Sequence, residues 1–336
     1  MPTPPPELLG PDPLHPPASF TPADLESAAL ERLPALVVAG GPSAMRRFVE
    51  FFAVTIRTPN TRRAYAQACG QFLDFVTQLG VPSLRRITPL HVAAYIEHHS
   101  GAPPTKKQHL AAIRRLGDWL VTGHVLDVNP AASVRGPAYV VEKGKTPILK
   151  PEEVRRFLDA IPIYHPIGLR DRALVGVLFF AGARISAALA LTPRDWFRSD
   201  GHYKIRLLEK GNREHTLPLH HEARELLEQY VEALGAAAIP TAPIFRAAAR
   251  SGQLTDRPLQ PRHAWRMIQR RARAADLASH AGCHTFRASA ITLMRRRGAT
   301  LEMMQRFAGH RQPKTTLLYD RTERDLPPAE VERIQI

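Results

Sequence analysis

Cysteine is nearly absent: the 336 residues hold two, Cys69 and Cys283. That scarcity excludes a disulfide scaffold and a Cys-based zinc site, and it suits a reducing compartment. Acid is in short supply too. Asp plus Glu number 31 against 46 Lys plus Arg, a formal net charge of +15. Such a balance selects a polyanionic partner, either nucleic acid or an anionic membrane surface. Among the 46 cations only eight are Lys, so any well-placed Lys is worth a question. Long apolar runs are missing as well. The longest, Ala173–Ala183, has eleven residues, where a membrane-spanning helix needs about 20. The first positive side chain is Arg32, so no secretory leader is expected and the chain is expected to stay in the cytoplasm. No Walker loop and no DxD-type carboxylate set is present, which argues against ATP-dependent or two-metal chemistry.

What is present suffices for two domains. Hydrophobic residues make up 44% of the chain, too many for wholesale disorder. Residues 1–41 stand apart, with ten of the 31 prolines and five acids against one Arg. Proline at this density opposes helix and sheet alike, so 1–41 is expected to be a mostly extended or disordered arm, with room for a short helix around 23–33. Residues 42–134 read as a helical DNA-binding domain. Tyr65, Cys69, Phe72, Val76 and Leu79 repeat at helical spacing behind Thr61, and Gly80 ends the run. Thr88-Pro89 opens a second helix and 105–122 forms a third. The candidate DNA contacts here are Arg62, Arg63, Lys106, Lys107, Arg114 and Arg115; the plain alternative is a solvated basic face. Residues 135–149 lack any period and are read as a linker. A second domain, 150–325, is again mainly helical, with one interruption. There Tyr203, Ile205 and Leu207 alternate, Lys210-Gly211-Asn212 turns, and His215, Leu217 and Leu219 return, predicting a small antiparallel sheet. Residues 326–336 form a tail.

Four places in the second domain carry polar groups that structure alone does not require. Arg184 follows the buried run directly and needs an anionic partner; Asp171 and Asp195 are the acids considered for a purely structural pair. Lys210 sits at the hairpin tip. His284 and Arg287, three apart, share one helical face. Gly309-His310 ends a helix begun at Thr300, and Tyr319 follows nine residues later. Two Arg, a Lys, two His and a Tyr suit attack on a phosphodiester. The arginines would hold the non-bridging oxygens and stabilise building charge. Tyr319 would be the nucleophile, Lys210 or a His the proton donor, and His284 the proton acceptor. His220-His221 hints at metal, but adjacent histidines are expected to point apart with no third ligand in range, so neither metal nor cofactor is expected.

At these residues the sequence resembles the tyrosine recombinase (phage integrase) family. AGARIS (181–186), EKGNREHTLPL (209–219), CHTFRAS (283–289), AGH (308–310) and TTLLYDR (315–321) come in the family's order and spacing, and TPNTRRAYAQACGQFLDF (58–75) resembles its helical domain. The resemblance implies a helical SAM-like core-binding domain plus an α+β catalytic domain. It also implies a site-specific recombinase that cuts and rejoins DNA through a 3′-phosphotyrosyl link without metal or ATP. By resemblance Arg184 and Arg287 clamp the phosphate, and Lys210 protonates the leaving 5′-oxygen. His284 accepts or shuttles the proton, His310 bonds the phosphate and Tyr319 attacks. Partners implied are duplex DNA with paired recognition sites, a homotetramer on synapsed DNA and accessory DNA-bending proteins. The tail 326–336 would be exchanged between subunits, or else fold on its own domain. One departure is Ala187, where the family often has an acid, so local support of the site must differ. Ala288 and Thr285 depart as well. Two alternatives share the fold: a catalytically silent DNA-binding regulator of a mobile element, and a topoisomerase-like nicking-closing enzyme.

Overall fold

The computed structural model describes residues 33–139, 144, 146–209, 211–235, 239–277 and 281–319. The chain divides into two compact units, residues 1–140 and 141–336. Both are mainly α-helical, and small antiparallel sheets occur in the second.

The first unit is a helical bundle made of α1 (Ala35–Ala39), α2 (Gly41–Glu50), α3 (Pro59–Gln78), α4 (Pro89–His98) and α5 (Pro103–Thr122). The end of the proline-rich segment is not extended as expected. Leu36 and Val37 on α1 are buried in the bundle core, because two large apolar side chains gain more from burial than an extended arm offers. Residues 1–32, with all but the last residue of the helix expected around 23–33, lie outside the described residues. In α3 the cap is Thr58 with Pro59 in the first turn, three residues earlier than expected. Proline's fixed φ suits that position. Ala68, Cys69, Phe72, Leu73 and Val76 form its buried stripe. They pack beside Leu110, Ile113, Leu116 and Leu120 of α5 in one core.

The second unit is organised around α6 (Pro151–Asp159), α7 (Pro166–Phe180), α8 (Ile185–Leu189), α9 (His221–Leu234), α10 (Pro261–Ala274), α11 (Cys283–Arg296), α12 (Leu301–Ala308) and α13 (Pro313–Leu317). α7 is apolar on all sides over Ala173–Phe179 and is therefore central, packed against α9 and α11. Strands β1 (Trp196–Ser199), β2 (His202–Glu209) and β3 (Arg213–Pro218) pair in that order, antiparallel. The β2–β3 register pairs Ile205 with Leu217 and Glu209 with Arg213. Gly211 and Asn212 turn the hairpin in the left-handed region (φ 82° and 60°), the conformation that Gly and Asn adopt at least cost. A second hairpin, β4 (Arg246–Ala248) with β5 (Leu254–Pro258), interrupts the helices where none was expected.

A buried cation in this unit, Arg170, and a half-buried one, Arg271, are structural. Arg170 and Arg271 both bond the Asp171 carboxylate, at 2.7 and 2.9 Å, and Arg170 also donates to the Arg246 carbonyl. Asp195 bonds Arg206 at 3.1 Å and its own helix cap at Thr192. Both acids considered as partners for Arg184 are therefore committed elsewhere. Among the described residues no helix is long and apolar enough to cross a membrane.

Candidate active site

The site lies where chain segments end. α7 stops at Phe180, and Gly182 (φ 55°) turns the chain so that Arg184 precedes α8. A side chain at 182 would press into the Phe307 ring, with its Cβ 2.5 Å from a ring carbon, so glycine serves both the turn and the close approach. α12 ends at Gly309 in the left-handed region (φ 57°), which releases His310 toward the core. α11 carries His284 in its first turn and Arg287 one turn further in. α13 leads to Tyr319.

Arg287 is the hub. It is 1% exposed, the largest of the fully buried side chains. Its Nη1 donates to the Gly182 carbonyl, and its Nη2 donates to the Ala308 carbonyl and to His310 Nε2 at 2.9 Å. Tyr319 acts on it electrostatically and favours its charged form. Burial and the neighbouring Arg184 cation bring Arg287 down to about 10, so it remains a cation at neutral pH. An arginine has five N–H donors; with three given to the protein, it can offer at most two to a phosphate.

His310 is fixed by this partner. Arginine only donates, so His310 Nε2 must accept, and the ring proton sits on Nδ1, donating to Thr316 Oγ1 at 3.0 Å. Burial, then Arg287 and Arg184, push its pKa down to about 3, which agrees with a neutral ring. Tyr319 stacks on it, with ring centroids 5.4 Å apart and planes at 19°. The Tyr319 backbone is held by its N–H to the Thr316 carbonyl at 2.9 Å and by Thr292 Oγ1 at its carbonyl, 3.0 Å. His284 is exposed, and partial desolvation together with Arg287 and Arg184 lowers its pKa. It therefore stays neutral, with a lone pair free to take a proton.

The anionic partner of Arg184 is Glu209. The Arg184 side chain is 30% exposed and that of Glu209 only 2%. Sequence reasoning missed this acid, although the alternation Tyr203, Ile205, Leu207 makes 209 the next inward position of β2. Two more ties anchor the hairpin beside the site: Arg213 donates to the Gly309 carbonyl at 2.6 Å, and His215 Nε2 lies 3.2 Å from the Phe307 carbonyl. Lys210 itself lies outside the described residues.

The six basic residues singled out in the first unit differ in what they hold. Arg62 bonds the Ile56 carbonyl at 2.9 Å, and Arg114 bonds the Ala131 and Val134 carbonyls, so both spend donors on their own domain. Lys107 and Arg115 are exposed, with long contacts to the Tyr139 and Thr55 carbonyls (3.4 and 3.3 Å). Lys106 is half-buried and donates to the Glu97 carbonyl, and Arg63 is exposed.

The expectation for His220-His221 fails on geometry. The two rings stack at 4.3 Å instead of pointing apart, and Glu222 brings a third donor within 4.8 Å. Stacking of His220 on Phe180 at 4.5 Å aligns the first ring. Glu222 is engaged by Arg155 at 2.7 Å and His220 Nδ1 by the Glu222 N–H, interactions that account for the cluster.

Comparison with known proteins agrees over both units. The phage integrase family model matches residues 147–324, and that of the phage integrase N-terminal SAM-like domain matches 43–124. Tyrosine recombinase XerD of Chlorobaculum tepidum is 27% identical over 273 residues, covering 79% of this chain and 86% of the relative. Tyrosine recombinase XerC of Mycobacterium tuberculosis is 28% identical over 280 residues, covering 81% and 91%. Among solved structures, XerH recombinase in a post-cleavage complex with palindromic difH superposes with a TM-score of 0.67 at 18% identity, covering 89% of this chain and 90% of that one. A lambda integrase tetramer on a Holliday junction gives 0.60 at 16% identity, covering 84% and 79%. These likenesses establish the shared fold.

Proposed function

The chain belongs to the phage integrase family of tyrosine recombinases, and from that membership and the site's geometry we propose that it is a site-specific DNA recombinase. It cuts and rejoins strands through a covalent tyrosyl intermediate. The observation that carries this reading is the convergence of Tyr319, Arg287 and His310, with the phenol ring stacked on the histidine and the histidine bonded to the buried arginine.

In the proposed reaction the Tyr319 oxygen attacks phosphorus, forming the P–O(Tyr) bond as the P–O5′ bond breaks. The phenolic proton passes to neutral His284, and Lys210 protonates the leaving 5′-oxygen. Arg184 and the free donors of Arg287 hold the non-bridging oxygens, where negative charge builds in the transition state. His310, with both ring nitrogens engaged inside the protein, acts here by fixing Arg287 against the phosphate. Religation reverses the steps with the 5′-hydroxyl of a partner strand, and the phosphotyrosyl bond conserves the diester's energy.

The assembly proposed is a homotetramer on two synapsed duplex sites, formed in the cytoplasm, with accessory DNA-bending proteins as further partners. Residues 42–134 serve as the core-binding domain and 150–325 as the catalytic domain, joined by the 135–149 linker. The tail 326–336, with Val331, Ile334 and Ile336, docks on a neighbouring subunit. An open groove of about 980 Å³ beside His310, lined by Met294, Met303, Phe307 and Arg213 among others, offers an apolar floor of matching character.

The test is a nicked suicide duplex taken from DNA flanking the gene, incubated without divalent metal. An SDS-resistant adduct with the wild type and none with Tyr319→Phe is expected. An adduct with both proteins moves the nucleophile elsewhere. Tight binding with no adduct from either leaves a silent DNA-binding protein.

A further inference from the structure

Glu209 occupies a position that β-strand alternation reserves for an apolar side chain. Ile205, Leu207 and Glu209 lie on one face of β2, and all three are buried. A carboxylate there loses its hydration, a cost that only strong local interactions offset. One such interaction is visible: Oε2 pairs with Arg184. The other oxygen, Oε1, is buried with no hydrogen-bond partner among the described residues. Burying an acceptor unsatisfied is costly, so Oε1 marks an arrangement awaiting one more donor. The surroundings supply charge of the opposite sign, since Glu209 and Arg184 both act electrostatically on Arg287.

We propose that Glu209 is a positioning residue for strand cleavage, holding Arg184 by one edge so that its outer N–H groups face the scissile phosphate. The inference rests on the recombinase reading above. Two arginines and one carboxylate leave a single positive charge, which matches the single negative charge of a phosphodiester. Without the carboxylate, two like charges confront each other and Arg184 swings free on a flexible stem. With it, only one Arg184 terminal nitrogen is committed, and Oε1 can accept a second N–H when the guanidinium turns edge-on to form a fork.

The experiment compares wild type, Glu209→Gln and Glu209→Asp in cleavage of a tiled set of nicked duplexes covering the DNA on both sides of the gene. Gln keeps the shape and removes the charge. It is expected to slow adduct formation about 100-fold while binding of the same duplex stays within about threefold. Its alkaline limb is expected to move to lower pH, because Glu209 helps Arg287 keep its proton; the other groups facing Arg287, namely Arg184, His284, His310 and Tyr319, are unchanged. Asp keeps the charge but falls short by one methylene, so it should hold the wild-type limb with cleavage slowed about tenfold. A folded Gln variant that cleaves at the wild-type rate overturns the proposal. So do Gln and Asp variants that are equally slow and share the wild-type limb, the pattern of a merely structural side chain. Should Glu209→Gln not fold, Asp decides alone: slower cleavage at unchanged melting temperature is expected, and wild-type cleavage refutes. If wild type itself forms no adduct on any duplex, the recombinase reading fails and the inference falls with it.

Discussion

Replacing Arg287 by Lys separates its architectural role from its chemical one. The guanidinium holds three acceptors: the Gly182 carbonyl at the turn after α7, and the Ala308 carbonyl and His310 ring at the end of α12. A lysine ammonium sits on a different stem and fans its donors tetrahedrally, so it reaches one of those three acceptors at best. Two acceptors then lose a charged partner in a place closed to water. Each such loss costs about 1.5–3 kcal/mol, which gives roughly 3–6 kcal/mol for the substitution. For a unit of this size the melting temperature should fall by roughly 6–24 °C. Thermal melting followed by circular dichroism, with urea unfolding alongside, measures this without any DNA. The midpoint should drop while the urea slope stays constant. A variant that melts within about 2 °C of wild type would refute the reasoning, whatever its effect on cleavage.

His310 should make the protein acid-sensitive. Its folded pKa is held near 3 against an ordinary 6.5, so between those values the unfolded chain binds a proton that the folded chain refuses. Stability therefore falls as pH drops through that window, and His310 alone should account for about 3 kcal/mol between pH 7 and pH 4. His310→Asn should flatten the urea-midpoint profile by that amount; parallel profiles would sink the assignment. Deleting residues 325–336 should spare binding of the specific duplex and abolish recombination between two sites, and full recombination by the truncated protein would dismiss subunit exchange of the tail.

How far each feature was legible follows from how local its cause is. Thr88-Pro89 fixes a helix start through neighbouring atoms alone, and the β2–β3 hairpin is written in its alternation and its Gly-Asn turn. Thr58-Pro59 is as local a signal, but a start read at Thr61 passes over it. The β4–β5 hairpin is not. Its strands of three and five residues bury little, its register shifts, and an Arg246–Asp256 ion pair at 2.8 Å bridges them. Leu36 and Val37 were hidden by the prolines around them, because composition over 41 residues outweighed two apolar side chains that find a core. At the site, the five motifs brought Arg184, Arg287, His310 and Tyr319 to notice one by one. Thr292 and Thr316, which hold Tyr319 and His310, are ordinary core-facing threonines in sequence, and only tertiary contact distinguishes them.

Arg184 raises the question of whether an ion pair argues for structure or for function. Two arginine–acid clusters in the second unit allow an answer. In the first, Arg170 and Asp171 are both sealed, with side chains 4% and 0% exposed, and Arg271 closes over the same carboxylate. Both oxygens of Asp171 have donors, Arg170 is sealed and Arg271 is 17% exposed, so the carboxylate is fully spent in holding the fold together. In the second, the acid is sealed but its arginine is not, and one carboxylate oxygen is still open. A purely structural pair gains nothing from exposing half of itself, since solvent weakens the attraction that offsets burial of the other half. The asymmetry is what a phosphate clamp requires: an anion fixed in the core and a cation held by one edge, with its remaining donors turned outward. Pairing with an acid, the feature that first favoured a structural reading of Arg184, is on this geometry the means by which the clamp is held.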